Sequence, residues 1–293
     1  MTLTPVPGLR VSVIGHVEWV QFGRVERLPG PGEVAHATDA FEEPAGGGAV
    51  AAVALARLAG CCDLHTVLGP DEHGRRAVER LGALHVEVLD GAPAADEPGG
   101  AFGERPPTRR AVTLIDAAGE RTITTFGPRL DPAGDADAGW ERLRDLDAVY
   151  FTAGDEAALR LARTGARVLV ASPRARHALG RGVPLDALVL SANDRIELAA
   201  AEPVLGEAEL VVHTEGGEGG RWRRRDGSEG RWQAAPLPGP VADSYGAGDT
   251  FAAALTYGLG AGLGLDEALV LASRSGAECM TLEGPYGRER TET

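Results

Sequence analysis

The stretch VADSYGAGDTFAAALTYGLG, from Val241 to Gly260, sets two glycines between two aspartates and opens an Ala-rich helical pattern on the second aspartate. Gly246 and Gly248 permit positive φ and let the backbone approach a ligand closely. The helix that follows aims its free N–H groups back into the loop. Amides and helix dipole together make an anion hole. Asp249, at the helix mouth, has two readings. It is an N-cap, or it accepts a proton from a hydroxyl that attacks a bound phosphate.

The whole chain narrows the choice. Its 293 residues can form one large α/β unit, with 43% hydrophobic content for a core. Aromatics are only 5%, so Ala, Val and Leu carry the packing. A net charge of −14 excludes a nucleic-acid surface and an anionic membrane patch. No lysine occurs; all 29 basic residues are arginine. That rules out a Walker-type phosphate-loop lysine and a Schiff base. Phosphate must be handled by amides, arginine or a metal. Cys61, Cys62 and Cys279 form neither a disulfide framework nor a zinc pattern, so reduced and mostly buried thiols are expected. No charged-then-apolar leader opens the sequence and no apolar run approaches about 18 residues, which reads as a soluble, cytoplasmic protein.

Short apolar runs alternate with helical patterns. VSVIG (11–15), HTVLG (65–69), HVEVL (85–89), DAVYF (147–151), RVLVAS (167–172), ALVLSA (187–192) and LVVHTEG (210–216) read as strands. Helices are expected over Gly48–Ala59, Gly74–Leu84, Glu156–Thr164 and Asp249–Leu259. The alternation predicts a mostly parallel sheet covered by helices on both faces, a three-layer α/β/α fold, as one domain over 1–293. Two stretches depart from it: Val20–Phe41, and AVTLIDAAGERTITTF with its central turn. Extra strands there, over about 17–43 and 108–127, predict a small β flap or lid beside the crevice, or a simple edge hairpin. Gly91–Pro107, rich in Pro and Gly, is expected to be mobile.

Several motifs occur together. DSYGAGDTF resembles the D-x-x-G-A-G-D signature of the ribokinase-like (PfkB) sugar and nucleoside kinases. PAGGGAVAAVALARLAG (44–60) is similar to that family's N-terminal Gly-Gly signature, and VLGPDEHG (67–74) to its G-x-D-x-x-G turn. LVVHTEGGEGG resembles its T-x-G-x-x-G nucleotide loop, and ECMTLEGPYG its closing stretch. The matches fall in family order over nearly the whole chain. The resemblance implies an ATP-dependent phosphotransferase acting on a hydroxyl of a small carbohydrate or sugar derivative. Asp249 would be the general base, with Gly246, Ala247 and Gly248 stabilising the transferred phosphoryl group. Thr214, Gly216 and Gly219 would line the nucleotide, and Asp243 would brace the loop beside a monovalent-cation (K⁺) site. Mg²⁺ would bridge the phosphates through water. Gly46 and Gly47 of the first signature would face the substrate.

The departures concern metal and acceptor. The family's N-x-x-E motif has its spacing here at Asp194 and Glu197, with Asn193 one residue earlier; a helix N-cap with a surface Glu is the plainer reading. After the first strand the chain reads Gly15-His16-Val17-Glu18-Trp19-Val20 where the family often has G-x-x-N/D-x-D, and Ala51 replaces an Asn that often contacts sugar. His16, Glu18 and Trp19 become candidate specificity residues. Trp19 stacks on a sugar or base, or packs in the core. Arg105, Arg109, Arg110, Arg121, Arg174 and Arg176 suggest an anionic sugar, or else a solvated surface. His65, His73, His85, His177 and Ser172 show no metal or nucleophile pattern. A nucleoside kinase and a catalytically silent nucleotide- or sugar-binding regulator are the alternatives. An exposed apolar lid face would permit a homodimer.

Overall fold

The computed structural model describes residues 8–91 and 105–288. Most of the Gly91–Pro107 stretch, read as mobile, lies outside the described residues. The large sheet has the order β13-β12-β11-β10-β9-β8-β1-β4-β5. Its parallel part comprises β1 (Val11–Ile14), β4 (Cys62–Thr66), β5 (Val86–Asp90), β8 (Leu146–Phe151), β9 (Ala166–Ala171), β10 (Leu185–Ser191) and β11 (Ala208–Thr214). The antiparallel strands β12 (Gly220–Arg224) and β13 (Glu229–Trp232) close one edge.

Side chains alternate between two cores, as period-2 strands covered on both faces require. Val11, Val13, Ala148, Tyr150, Val168 and Val170 belong to the first core, which also takes in α1 (Gly47–Ala59), α5 (Ala247–Gly260) and α6 (Leu265–Met280). Ala77 and Leu81 of α2 (Glu72–Ala83) join it. Ile14, Val149, Phe151, Leu169, Leu188 and Leu190 belong to the second core, with residues of α3 (Glu156–Gly165) and α4 (Arg195–Ala201). The architecture is the expected three-layer α/β fold.

A separate four-stranded sheet, order β3-β2-β6-β7, consists of β2 (Glu18–Arg24), β3 (Asp39–Ala45), β6 (Arg110–Ile115) and β7 (Arg121–Phe126). The two irregular stretches of the sequence therefore meet as one sheet, with β2 parallel to β6. The turn Gly69-Pro70-Asp71 holds its root. Asp71 caps α2 by accepting from Gly74 N at 2.9 Å and also takes Thr108 N at 3.0 Å. A Cβ on Gly69 would lie 2.1 Å from Thr108 N, so only glycine permits this crossing.

Several elements differ from the sequence reading. β4 begins and ends earlier than HTVLG; Leu68 N donates to Asp90 Oδ1 and Gly69 N to Thr108 Oγ1, so the end of that run leaves the strand. β12 and β13 are absent from the apolar reading; alternating arginines in GRWRR and EGRW hide an edge hairpin. Helix α6 follows α5 without an intervening strand and so falls outside the strand–helix alternation. Finally, α5 starts at Ala247 instead of Asp249.

Candidate active site

The candidate residues gather at the carboxyl ends of the parallel strands, where open α/β sheets place ligands. Gly15 and His16 follow β1, Thr152 follows β8, Arg174 follows β9, Asp194 and Glu197 follow β10, and Gly216 follows β11.

Gly246 caps α5 with φ 81°, and a Cβ there would stand 2.8 Å from Val50 Cγ1 of α1. The close packing of α1 on this loop thus requires the glycine. No side chain caps α5, so its first N–H groups are left for a ligand. Asp249 sits within the first turn, and the N-cap reading is excluded. Its carboxylate lies against α1: a Cβ built on Gly47 would be 3.0 Å from Asp249 Oδ1 and 3.2 Å from Thr152 Oγ1. Burial pushes the Asp249 carboxyl up from the ordinary aspartate range, opposed by Arg174 and then Arg121.

Asp243 is fully buried and accepts from Tyr245 N and Gly284 N, each at 2.9 Å. It ties the loop to the chain's closing stretch, while Tyr245 Oη accepts from Gly46 N at 3.3 Å. Two arginines of the small sheet reach the same loop. Arg24 Nη2 is 3.5 Å from Asp243 Oδ2 and its Nη1 donates to Ala242 O at 3.1 Å. Arg121 Nη1 donates to Ser244 O at 3.1 Å and Oγ at 2.7 Å. A monovalent cation at Asp243 would have to share the carboxylate with Arg24, whose guanidinium already supplies positive charge there. The arrangement does not fit a second cation.

Asp194 and Glu197 divide the two readings made of them. Asp194 is the N-cap of α4, accepting from Ile196 N at 2.9 Å and Glu197 N at 3.1 Å. Glu197 is not a surface residue; it is 7% exposed, accepts from Ser191 N at 2.8 Å and pairs with Arg174 Nε at 2.7 Å. Burial raises its carboxyl, against Arg174. Asn193 contributes its backbone N–H to Ser191 Oγ. No group of three acidic, His or Cys side chains suited to a metal occurs among the described residues. Both carboxylates are engaged by amides and by Arg174, a setting that would suit a hydrated cation better than a directly chelated one.

Thr214 ends β11 opposite Gly220 in the ladder, and its hydroxyl donates to Leu190 O at 3.4 Å. Gly216 has φ 62° with open space at its Cβ position. Gly219 is constrained differently: at φ 83°, a Cβ would be 2.1 Å from Trp232 O. Its glycine is demanded by the β13 crossing.

Glu18 is 6% exposed and lies 3.2 Å from Arg109 Nε; His16 Nε2 is 3.7 Å from the same Glu18 oxygen. Trp19 is buried, stacked on His73 at 5.5 Å and covered by Arg76 at 4.3 Å. It packs inside the protein and is no platform for a base. Arg105 pairs with Asp90, and neither Arg110 nor Arg176 joins the crevice contacts. Sequence reasoning missed Arg24, Arg129, Thr152 and Tyr245. Tyr245 lies inside the quoted signature, and Thr152 stands at a parallel strand's carboxyl end; both positions carried a signal. Arg24 and Arg129, on or after strands of the small sheet, carried none.

The chain is ribokinase-like by fold, and its segment 185–291 matches the family described as pfkB family carbohydrate kinase. Similar solved structures include a ribokinase from Cryptococcus neoformans var. grubii in complex with ADP, with 23% identity, TM-score 0.68, and 95% and 96% of the two chains covered. A ribokinase of Arabidopsis thaliana complexed with ribose and ATP shares 20% identity over 94% of each chain, with TM-score 0.66. The adenosine kinase of Sinorhizobium meliloti shares 18% identity and TM-score 0.71, covering 94% of this chain and 95% of its own. No curated protein sequence matches this chain. No helix of the described residues is long and apolar enough to cross a membrane.

Proposed function

We propose that the protein is an ATP-dependent kinase of a small carbohydrate or sugar derivative. The observation that carries this reading is the placement of Asp249 beneath the open N-terminus of α5 and against Gly47 and Thr152. Asp249 takes the proton from the acceptor hydroxyl. The amides of Gly246, Ala247 and Gly248 stabilise negative charge on the phosphoryl group as it moves. Thr214, Gly216 and Gly219 line the nucleotide side, and Mg²⁺ bound to the nucleotide neutralises phosphate charge. Arg174, paired with Glu197, draws the Asp249 carboxyl down against the burial that raises it.

The buried position of Trp19 removes the feature that favoured a nucleoside, and the retained Asp249 and GAGD loop weigh against a silent regulator. The small sheet serves as a lid in this reading, held to the signature loop by Arg24 and Arg121. Its outer strand β7 is exposed along its length, with Ile123 and Phe126 outward, which supports dimerisation through the lid. The kinase reading is tested by ADP release from ATP and Mg²⁺ across neutral sugars, sugar acids, sugar phosphates and nucleosides. Ligand binding without turnover on any of them would refute it.

A further inference from the structure

The acceptor end of the crevice is ringed by arginines from separate parts of the chain. Arg109 stands just before β6, Arg129 follows β7 and Arg174 follows β9. Arg129 Nη1 donates to Arg174 O at 3.2 Å while its Nε and Nη2 pair with Asp131 at 2.7 and 2.9 Å, and Arg174 Nε meets Glu197 Oε1 at 2.7 Å. Arg109 Nε meets Glu18 Oε1 at 3.2 Å, and that oxygen is 3.7 Å from His16 Nε2. Burial first, then the charges of Arg129, Arg109 and Arg174, hold the His16 pKa down to about 3. His16 is 9% exposed and Thr152 fully buried, yet His16 Nδ1 and Thr152 Oγ1 have no hydrogen-bond partner among the described residues. Val20 and Ala51, which replace polar residues of the family that this sequence resembles, are buried and apolar.

We propose that the acceptor carries an anionic group, a carboxylate or a phosphate, and that Arg109, Arg129 and Arg174 hold that group so that a hydroxyl on the same molecule reaches Asp249. The planar guanidinium fork matches either anion in two-point contact, which an ammonium cannot do. Glu18, Asp131 and Glu197 engage Arg109, Arg129 and Arg174 as internal carboxylates, and a bound anion competes with them. The chain's net charge of −14 gives no long-range attraction for such a ligand. The arginines act locally, where charge is less screened than across a Debye length of about 8–10 Å. In the reaction the acceptor O–H bond breaks with its proton passing to the Asp249 carboxylate. The new O–P bond forms to the γ-phosphorus, and the bond to ADP breaks with its electron pair leaving on ADP.

This inference rests on the kinase reading, and one experiment separates their failures. ADP release by the full chain is measured with ribose, fructose and adenosine, and with gluconate, ribose 5-phosphate and fructose 6-phosphate. The highest kcat/KM is expected on an anionic member; gluconate against the phosphate esters tells which anion. Arg129→Gln should raise KM for that acceptor about ten- to a hundredfold, the range for losing one charge-assisted hydrogen bond. KM for ATP should stay near wild type, and Arg129→Lys should restore part of the loss. Raising the salt concentration on the wild-type protein gives a second readout, raising KM for the anionic acceptor but not for a neutral one. A neutral sugar or nucleoside as best substrate, indifferent to Arg129→Gln and to salt, overturns the inference and leaves the kinase reading standing. No ADP release from any member overturns both.

Discussion

Gly47→Ala adds one methyl group at the point where acceptor and base must meet. The methyl would lie 3.0 Å from Asp249 Oδ1 and 3.2 Å from Thr152 Oγ1, tighter than ordinary van der Waals contact. A hydroxyl delivering its proton must itself come within about 2.6–3.2 Å of that carboxylate. Methyl and hydroxyl then compete for one place. A displacement of about 1 Å at a reacting centre costs on the order of a hundredfold in rate, so kcat/KM for the acceptor should fall by about that factor. Stability should move little. Gly47 is the first residue of α1 and lacks positive φ, and alanine in a helix gains up to about 1 kcal/mol over glycine. That gain roughly offsets the tight contact. Its neighbours behave differently. A Cβ on Gly48 would be 2.7 Å from Gly15 C and His16 O, both backbone, so Gly48→Ala should lower Tm. Gly46 has φ 89° and ψ 161°, a region open to glycine alone, and its substitution strains the chain directly. The assay pairs ADP release with thermal unfolding for all three variants. Gly47→Ala with a wild-type kcat/KM and an unchanged Tm would refute the placement of the acceptor between Gly47, Thr152 and Asp249.

Three further outcomes follow from separate contacts. Asp249 acts ionised and its pKa is raised, so kcat/KM should fall with decreasing pH on a limb above the ordinary aspartate value of about 3.9. Arg174→Gln removes the foremost charge that lowers this pKa, so the limb should move to still higher pH; an unmoved limb contradicts the pairing. Arg24→Ala removes the lid guanidinium that pairs with the buried Asp243 carboxylate, and breaking such a pair costs about 3–5 kcal/mol. Tm should drop by several degrees, and wild-type turnover should be alike in K⁺ and Na⁺; saturable activation by K⁺ contradicts the role given to Arg24. Gly219→Ala should lower Tm through its collision with Trp232 O, and a change confined to KM for ATP would contradict that.

How much of this was legible in the sequence follows from what each residue type advertises. Buried parallel strands announce themselves as apolar runs, and the signature around Asp249 fixed the loop, the helix after it and the acid. The small sheet was legible as two stretches that broke the alternation, though not its pairing, since β2 against β6 joins residues far apart in the chain. The β12–β13 hairpin was hidden because its arginines alternate with Trp222 and Trp232 instead of aliphatic residues. Asp194 and Glu197 looked alike as acids at motif spacing. Only their surroundings separate a helix cap from a buried partner of Arg174. The arginines at the acceptor end were harder still: Arg109 stood out near the expected flap and Arg174 in the run SPRAR, but Arg129 joins them only through the folding of the small sheet.

Asp249→Asn bears most directly on the central claim. It keeps the shape of the side chain and removes its capacity as a base, while the amides of the loop stay in place. ADP release with the best acceptor should fall about 10²- to 10⁴-fold, the span attributed to general-base catalysis. ATP binding by calorimetry should be retained, and Tm held or raised, because burial disfavours the ionised carboxylate. Turnover at the wild-type rate in Asp249→Asn would contradict the assignment of Asp249 as the group that takes the acceptor's proton.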